Sequence, residues 1–228
     1  MKNPLVVGYK GEIGSFILNG LLRIMPKALD IWCVDVNETK QEVEQRIRAS
    51  DVIFLCVPMH KTVEWIQEHK ELLKGKVVIE QCSLKEWVYE QVHGVDLRSM
   101  HILFRPSQTP NLEDRNVGLF KGQFDEVQAG QISKMMQSRV VWFQDQMEHD
   151  KEMAVQQALT HRTLLILGER LRTGHGSTYI SKKVLELETR IRSGNKDLYK
   201  AIQGNKYLPE VMKEIERDFR EFDIDKRF

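Results

Sequence analysis

The sequence predicts an α/β domain with a parallel sheet over residues 1–145, followed by an all-helical part over residues 146–228. In the first part, short apolar runs alternate with stretches that carry apolar residues at helical spacing, which is typical of doubly wound βαβ units. The run 51–57 is apolar almost throughout, as expected for a strand buried on both faces of a parallel sheet. Beyond residue 145 no strand-like run follows, so a second, helical domain is expected.

The individual elements follow from the same patterns. Strands are predicted over 5–7, 31–34, 51–57, 76–80, 100–104 and 140–143, and helices from Gly14 to Pro26 and over 38–49, 61–73 and 87–92. The segment 105–118 is expected to be a loop. In the second part, helices are predicted over 146–172 and from a cap at Ser177 to 191, with a turn at 174–176 between them. Asn195 is expected to cap a short helix, and Pro209 to open the last one.

Composition excludes several classes of protein. The 34 Lys and Arg residues balance 33 Asp and Glu residues, so nothing indicates a nucleic-acid partner. The cysteines Cys33, Cys56 and Cys82 form neither a disulfide framework nor a CxxC zinc pair, and we expect buried, unreactive thiols and no metal. No apolar stretch approaches the roughly 20 residues that span a bilayer, and the first residues lead directly into a strand. We therefore expect a soluble, cytoplasmic protein without membrane contact.

A glycine-rich segment between the first strand and the first helix predicts a dinucleotide-binding loop. The candidate cofactor-binding residues are Gly8, Tyr9, Lys10, Gly11, Glu12, Ile13 and Gly14. Such a turn lets backbone N–H groups approach a pyrophosphate at the positive end of the helix. Gly11 and Gly14 match the last two glycines of the GxGxxG pattern, whereas Tyr9 takes the first position and Gly8 precedes it. We expect Gly8 to absorb the strain of that turn.

Asp35 strengthens this interpretation. It ends the second predicted strand, about 20 residues after the loop, where a carboxylate hydrogen-bonds the adenosine ribose hydroxyls. The same carboxylate repels a 2′-phosphate, so the sequence favours NAD over NADP, although Lys10 is a small argument in the other direction. The alternative is an ordinary βαβ turn with a solvated aspartate. With the apolar strands around it, the segment predicts a Rossmann-type domain that binds NAD.

Further motifs resemble those of the prephenate dehydrogenase family, from Val6 to about Ile202. The resemblance rests on Val57-Pro58-Met59-His60, on Ser83-Leu84-Lys85, on the stretch from His101 to Pro106, on the run from Glu148 to Ala154, on Gln157 to His161, and on Thr189-Arg190-Ile191 before Leu198-Tyr199. Any one of these motifs could arise by chance, but their order and spacing together are specific. Val57 and Pro58 are accordingly candidate cofactor contacts.

The resemblance implies an enzyme that oxidises the ring hydroxyl of prephenate with NAD and releases CO2, giving 4-hydroxyphenylpyruvate for tyrosine biosynthesis. It implies that His101 accepts the hydroxyl proton and that Ser83 orients the hydroxyl. It also implies that Arg190 holds a substrate carboxylate, because a guanidinium pairs bidentately with a carboxylate. Lys85 is a candidate supporting charge. In the family the helical region builds a homodimer, which we also expect here.

Each of these assignments has an ordinary structural alternative. His101 could be a hydrogen-bonded core histidine, Ser83 could cap the following helix, and Arg190 could belong to an exposed, salt-bridged helix face. His149 and His161 are too far apart along the chain for one helical metal site, and we interpret them as structural or as neighbours of the substrate. His60 could lie near the cofactor.

The chain also departs from the family pattern beside the expected substrate pocket. Ile102 replaces a proline, Arg105 replaces a glycine, and Ser107 stands where an acidic residue is common. Arg105 is therefore a candidate contact to a substrate carboxylate, or a residue that blocks the pocket. The alternatives are an arogenate dehydrogenase, a degenerate NAD-binding regulatory relative, and a module fused to or associated with a chorismate mutase that supplies prephenate.

Overall fold

The computed structural model describes residues 3–25, 30–172 and 178–222. The chain divides into two compact units, Met1–Gln146 and Met147–Phe228. The predicted helix end at Pro26, the turn at 174–176 and the cap at Ser177 lie outside the described residues. No described helix combines the length and the apolar composition that crossing a membrane requires.

The first unit is built on a seven-stranded sheet. Its strands are β1 (Pro4–Val7), β2 (Trp32–Val34), β3 (Val52–Leu55), β4 (Val77–Glu80), β5 (Asp96–Ile102), β6 (Asn116–Phe120) and β7 (Arg139–Phe143). The order across the sheet is β2-β1-β3-β4-β5-β6-β7. The chain leaves β1 to form β2 on one side and then returns to form β3 on the other. This reversal creates a crevice at the carboxyl ends of β1 and β3, which is where open α/β sheets bind ligands.

Helices cover both faces of this sheet. They are α1 (Glu12–Ile24), α2 (Lys40–Arg48), α3 (Met59–His69), α4 (Lys85–Tyr89) and α5 (Glu126–Met136). Side chains alternate along each strand, so one core contains Val6, Phe54 and Ile79 with residues of α1 and α5. The other core contains Leu5, Ile53 and Val78 with residues of α2, α3 and α4. The predicted Rossmann-type architecture is confirmed.

The sequence patterns missed one strand and one helix of this unit. Residues 116–118 belong to β6 rather than to a loop, and β6 pairs antiparallel with β5 and parallel with β7, so the sheet is not wholly parallel. Gly118 interrupts the apolar run of β6 because the Phe143 ring would lie 2.7 Å from an added Cβ. The unpredicted helix α5 begins with a capping box at Asp125 and Gln128, a signal that was present in the sequence.

The described chain after the sheet is helical, as predicted. It forms α6 (Gln146–Met153), a π-helical turn (Ala154–Leu159), α7 (Thr160–Arg172), α8 (Tyr179–Arg192), α9 (Lys196–Gln203) and α10 (Leu208–Arg220). Asn195 caps α9 by accepting hydrogen bonds from the backbone of Asp197 and Leu198, and Pro209 lies in the first turn of α10. A small core of Ala158, Ile202 and Leu208 holds α9 and α10 against the π-helical turn.

Candidate active site

The tight turn after β1 is made by Gly8. Its φ is +78°, and no described residue of the loop other than Gly8 has a positive φ, so Tyr9 keeps an ordinary backbone conformation. The Gly8 N–H donates to the Val34 carbonyl at 2.8 Å, and an added Cβ would lie 2.5 Å from the Cys56 carbonyl oxygen. Gly8 is therefore wedged between the ends of β2 and β3, where the chain reverses and no side chain fits.

Gly14 makes the second close approach of this loop. An added Cβ there would lie 2.1 Å from the Gly8 carbonyl oxygen, so α1 can pack on the loop only if this residue is glycine. Helix α1 starts after Gly11, whose N–H donates to the Gly8 carbonyl at 3.1 Å, and no side chain caps its first turn. An uncapped helix start under a glycine turn is a cradle of backbone N–H groups that suits phosphate oxygens.

Asp35 connects this loop to the end of β2. Its Oδ2 accepts a hydrogen bond from the Lys10 N–H at 2.9 Å, and its Oδ1 accepts one from the Val36 N–H at 2.9 Å. The Asp35 N–H in turn donates to Glu38 Oε2 at 2.7 Å. Each carboxylate oxygen can accept more than one hydrogen bond, so the half-buried Asp35 can still receive hydroxyl donors. Two acidic side chains at this position disfavour an additional phosphate.

The other predicted cofactor residues lie after β3 and around the start of α1. Val57 follows β3, and its Cγ1 would lie 3.2 Å from a Cβ at Gly8. Pro58 precedes α3, and its carbonyl accepts the Lys61 N–H at 2.8 Å. Ile13 packs against the core on the α1 face of the sheet, and the Lys10 Nζ lies 5.4 Å from the centre of the Tyr9 ring.

Ser83 and His101 meet two strands away, at the ends of β4 and β5. The distance from Ser83 Oγ to His101 Nε2 is 3.5 Å, the outer limit of a hydrogen bond. His101 is buried and Ser83 is half-buried. The N-cap position of α4 is occupied by Leu84 rather than by Ser83, and no side chain caps this helix. The structure therefore brings the two candidate catalytic side chains together, and catalytic hydrogen bonds of this length often shorten when substrate binds.

Lys85 does not occupy an open substrate site. Its side chain is fully buried, its Nζ lies 2.8 Å from Glu80 Oε1, and it also donates to the Met100 carbonyl at 2.9 Å. This corrects the prediction that Lys85 supports a substrate carboxylate, because its ammonium group is enclosed and paired within the protein. Glu80, its partner, was not singled out from the sequence. It lies on a neighbouring element, and no local pattern marks the pair.

The altered segment after β5 is anchored on the first turn of α1. Arg105 Nε donates to Glu12 Oε2 at 3.1 Å, and the Ser107 N–H donates to Glu12 Oε1 at 3.0 Å, as does the Ser107 hydroxyl at 2.5 Å. Partial burial raises the pKa of Glu12, but the Ser107 hydrogen bonds and the Arg105 charge outweigh it, so its net pKa lies below the usual range. The carboxylate that Arg105 contacts is thus that of Glu12, and a contact to substrate stays a prediction.

In the helical unit, Arg190 lies on α8 and pairs with a neighbour one turn away. Its Nη2 donates to Glu186 Oε1 at 2.6 Å, and both side chains are about half exposed.

The two histidines of the helical unit lie in different surroundings. His149 is buried with its Nδ1 2.8 Å from Asp150 Oδ1. The His161 ring packs edge-on against Tyr199, and burial lowers its pKa, which favours the neutral imidazole. No group of three or more His, Cys, Asp or Glu side chains within 3–25, 30–172 and 178–222 could hold a metal ion.

The side-chain amide of Gln81 lies at the same end of the sheet. Both amide atoms of Gln81, directly after β4, are buried and lack a hydrogen-bond partner among the described residues. A buried polar group without a partner is costly, so this amide is suited to meet a ligand.

The cysteines Cys33, Cys56 and Cys82 are free, and burial raises the pKa of all three thiols, which keeps them protonated.

Comparison with known proteins identifies the fold but no close relative. No protein-family model matches the chain, and no curated protein matches it. A candidate prephenate dehydrogenase from Corynebacterium glutamicum superposes with a TM-score of 0.75 at 17% identity, over 96% of this chain and 79% of that one. Prephenate dehydrogenase from Aquifex aeolicus gives 0.60 at 17% identity, over 97% and 100% of the two chains.

The likeness extends to enzymes with other substrates. An NADH-preferring ketol-acid reductoisomerase from an uncultured archaeon superposes with a TM-score of 0.60 at 11% identity, over 94% of this chain and 81% of that one. At such identities a structural likeness shows the fold alone. The chain therefore shares the fold of these dehydrogenases and reductases, a Rossmann-type sheet followed by helices.

Proposed function

We propose that this protein is an NAD-dependent dehydrogenase that converts prephenate to 4-hydroxyphenylpyruvate and CO2. The observation that carries the proposal is the Ser83–His101 pair, with Ser83 Oγ 3.5 Å from His101 Nε2 at the carboxyl edge of the sheet that also bears the glycine loop. The sequence motifs around both residues resemble those of prephenate dehydrogenases. Two proteins of that name are among the chains that share its fold.

The glycine loop fits a nicotinamide dinucleotide. Gly8 and Gly14 leave no room for a Cβ, the start of α1 has no side-chain cap, and Asp35 stands at the end of β2. We propose that the first turn of α1 holds the pyrophosphate and that Asp35 receives the adenosine ribose hydroxyls, with NAD favoured because Asp35 and Glu38 repel a 2′-phosphate. The orphaned Gln81 amide supports a ligand at the same edge. When bound, NAD supplies the hydride acceptor.

The chemistry assigned to the protein side chains is proton transfer and orientation. Ser83 Oγ donates to and orients the ring hydroxyl of the substrate, while His101 Nε2 accepts the hydroxyl proton as the ring carbon is oxidised. The new carbonyl is conjugated with the two ring double bonds that flank the carbon bearing the ring carboxylate, so the electron pair left by CO2 passes to the carbonyl oxygen and the ring becomes aromatic. His101 then returns the proton to the phenol oxygen. No proton is consumed or released in total, and the driving force comes from aromatisation.

Arg190 is proposed to hold one of the two substrate carboxylates. Its surface pair with Glu186 is half exposed, and such pairs contribute little free energy, so the guanidinium can exchange this partner for a substrate carboxylate.

We also propose that the protein forms a homodimer through its helical half. Large apolar side chains are exposed on α7 and α8, among them Ile166, Leu167, Ile180 and Leu187. Association with a chorismate mutase stays a prediction from the family resemblance.

The experiment that tests the function follows NADH absorbance with purified protein, offering prephenate and arogenate in turn, each with NAD and with NADP. We expect turnover with prephenate and NAD. Turnover with arogenate alone would assign the sister activity and overturn the substrate, and no turnover despite NADH binding would support the catalytically degenerate relative. An unchanged rate after replacing Ser83 with alanine would remove the Ser83–His101 pair from the proposal.

A further inference from the structure

A fully buried ion pair lies behind the candidate catalytic pair. Lys85 on α4 and Glu80 at the end of β4 have no exposed side-chain surface, and Lys85 Nζ lies 2.8 Å from Glu80 Oε1. Burying two charges costs much of what their attraction returns, and apolar replacement of such a pair is often neutral or stabilising. The stability of the fold therefore does not by itself account for this pair.

Each end of the ion pair holds the backbone next to one candidate catalytic residue. Glu80 Oε2 accepts a hydrogen bond from the Cys82 N–H at 2.6 Å, and Cys82 immediately precedes Ser83. Lys85 Nζ donates to the Met100 carbonyl at 2.9 Å, and Met100 immediately precedes His101. The two charges thus connect the backbone just before Ser83, in the segment after β4, to the backbone just before His101 on β5.

Neighbouring hydrogen bonds attach further residues to this ion pair. Ser99 donates its hydroxyl to Glu80 Oε1, and its N–H donates to Gln123 Oε1 at 2.7 Å. Gln123 Nε2 donates to the Tyr89 hydroxyl at 2.9 Å, and that hydroxyl donates to the Leu97 carbonyl at 2.7 Å. Burial raises the pKa of Tyr89 to about 12, so Tyr89 stays a hydrogen-bond donor at any working pH. Glu80 thus has hydrogen-bond partners on two elements, Ser99 on β5 and Lys85 on α4.

We propose that the Lys85–Glu80 ion pair is a positioning device that sets the separation of Ser83 Oγ and His101 Nε2, and that it does not bind substrate. The inference rests on the proposed function, because it takes Ser83 and His101 as the reacting pair. Side chains that act only through the geometry of others affect the catalysed step more than they affect binding. The ion pair should accordingly act on kcat and leave KM and dinucleotide affinity unchanged.

The test removes both charges together, since removing one would leave the other buried without a partner. The variant Lys85→Met with Glu80→Gln keeps the approximate volumes and retains an acceptor for the Cys82 N–H. We expect an unchanged melting temperature, NADH dissociation constant and prephenate KM, with kcat lower by about 100-fold, the effect of a misplacement near 1 Å. The matched control is Lys74→Met with Glu71→Gln, a surface pair 2.5 Å apart just before β4, for which no parameter should change.

Combination with Ser83→Ala separates positioning from a general structural effect. If the ion pair acts through Ser83 and His101, the double substitution should cost much less kcat in the Ser83→Ala background than in the wild type. Equal losses in both backgrounds, a raised KM at unchanged kcat, or a fall in melting temperature together with lost NADH binding would each overturn the proposal.

A second readout does not depend on activity. The His101 ring resonances, assigned by comparison with His101→Asn, should shift in the Lys85→Met, Glu80→Gln variant, while those of the exposed His93 should not. If wild-type protein turns over neither prephenate nor arogenate, the proposed function fails, but this spectrum still tests the positioning claim. Unshifted His101 resonances would contradict it in either case.

Discussion

The two candidate sites at the carboxyl edge of the sheet are built in opposite ways. The glycine loop is shaped by missing side chains, because Gly8 and Gly14 let backbone lie where a Cβ would come within 2.5 Å and 2.1 Å of carbonyl oxygens. The Ser83–His101 pair is shaped by side chains, since buried charges of Lys85 and Glu80 hold the backbone on both sides. The first site should therefore be damaged by added atoms, and the second by removed charges.

The largest effect on the glycine loop is expected from Gly14→Ala. The added methyl group would collide with the Gly8 carbonyl, so α1 must move away from the loop. Overpacking of this kind costs about 1–3 kcal/mol or more of unfolding free energy, and NADH binding should be lost. Denaturant unfolding and fluorescence titration with NADH measure the two effects.

Gly130→Ala is the matched control, because Gly130 also lies in a helix but has no atom within 4 Å of an added Cβ. Alanine there should stabilise the protein by about 0.5–1 kcal/mol. Normal NADH binding by Gly14→Ala would show that the close approach of α1 is not what shapes the loop.

Asp35→Asn should give an intermediate effect, on the choice of cofactor. Loss of the carboxylate weakens charge-assisted hydrogen bonds to the ribose, and such bonds are worth about 1.5–3 kcal/mol, so NADH affinity should fall by about tenfold or more. The ratio of NADPH to NADH affinity should rise, because one repulsive charge is gone. Asp51→Asn, at the opposite edge of the sheet before β3, serves as the control. An unchanged ratio would remove Asp35 from cofactor selection.

Arg105→Ala should give the smallest effect. The Arg105–Glu12 pair is partly exposed, and such pairs contribute about 0.2–1 kcal/mol, so stability should change little. Without Arg105, the Glu12 carboxylate loses its cation at the start of α1, and NADH affinity should fall about fivefold, or about 1 kcal/mol. Arg48→Ala breaks the comparable pair with Glu44 on α2 and should leave NADH binding intact. Equal changes in NADH affinity for Arg105→Ala and Arg48→Ala would show that the Arg105–Glu12 contact does not contribute to cofactor binding.

The lowered pKa of Glu12 sets the pH range over which Arg105→Ala should weaken NADH binding. Because that pKa is lowered in the folded protein, the contact of Glu12 with Arg105 and Ser107 is fully present at neutral pH and is lost only as the pH falls through the lowered value. The Arg105→Ala effect should therefore persist under mildly acidic conditions.

The sequence predicted the glycine loop better than it predicted the Ser83–His101 surroundings. Gly11, Gly14 and Asp35 follow a local pattern of turn, helix and strand end, and each lies where that pattern places it. Gly8 also makes the turn as expected, since the positive φ is at Gly8 and Tyr9 keeps an ordinary φ. The Ser83 motif follows β4 and the His101 motif ends β5, and the parallel pairing of these two strands brings the two motifs together.

The parts that could not be predicted depend on distant contacts. Lys85 lies close to Ser83 in the sequence, which suggests a second substrate charge, but its Nζ pairs with Glu80 at the end of β4 and with the Met100 carbonyl, 15 residues away on β5. The Glu12 contact with Arg105 joins residues 93 positions apart. Strand β6 carries Gly118 because of the Phe143 ring on β7, which no local propensity reports.

The proposed role of His101 is tested most directly by comparing His101→Asn with wild-type protein in a single-turnover reaction of prephenate with NAD. NADH affinity is measured on the same samples, and His93→Asn, at an exposed position, is the control. We expect His101→Asn to form NADH about 10²–10⁴-fold more slowly while its NADH dissociation constant is unchanged. A wild-type rate in His101→Asn would contradict this role, because the proton of the substrate hydroxyl would then be transferred without His101.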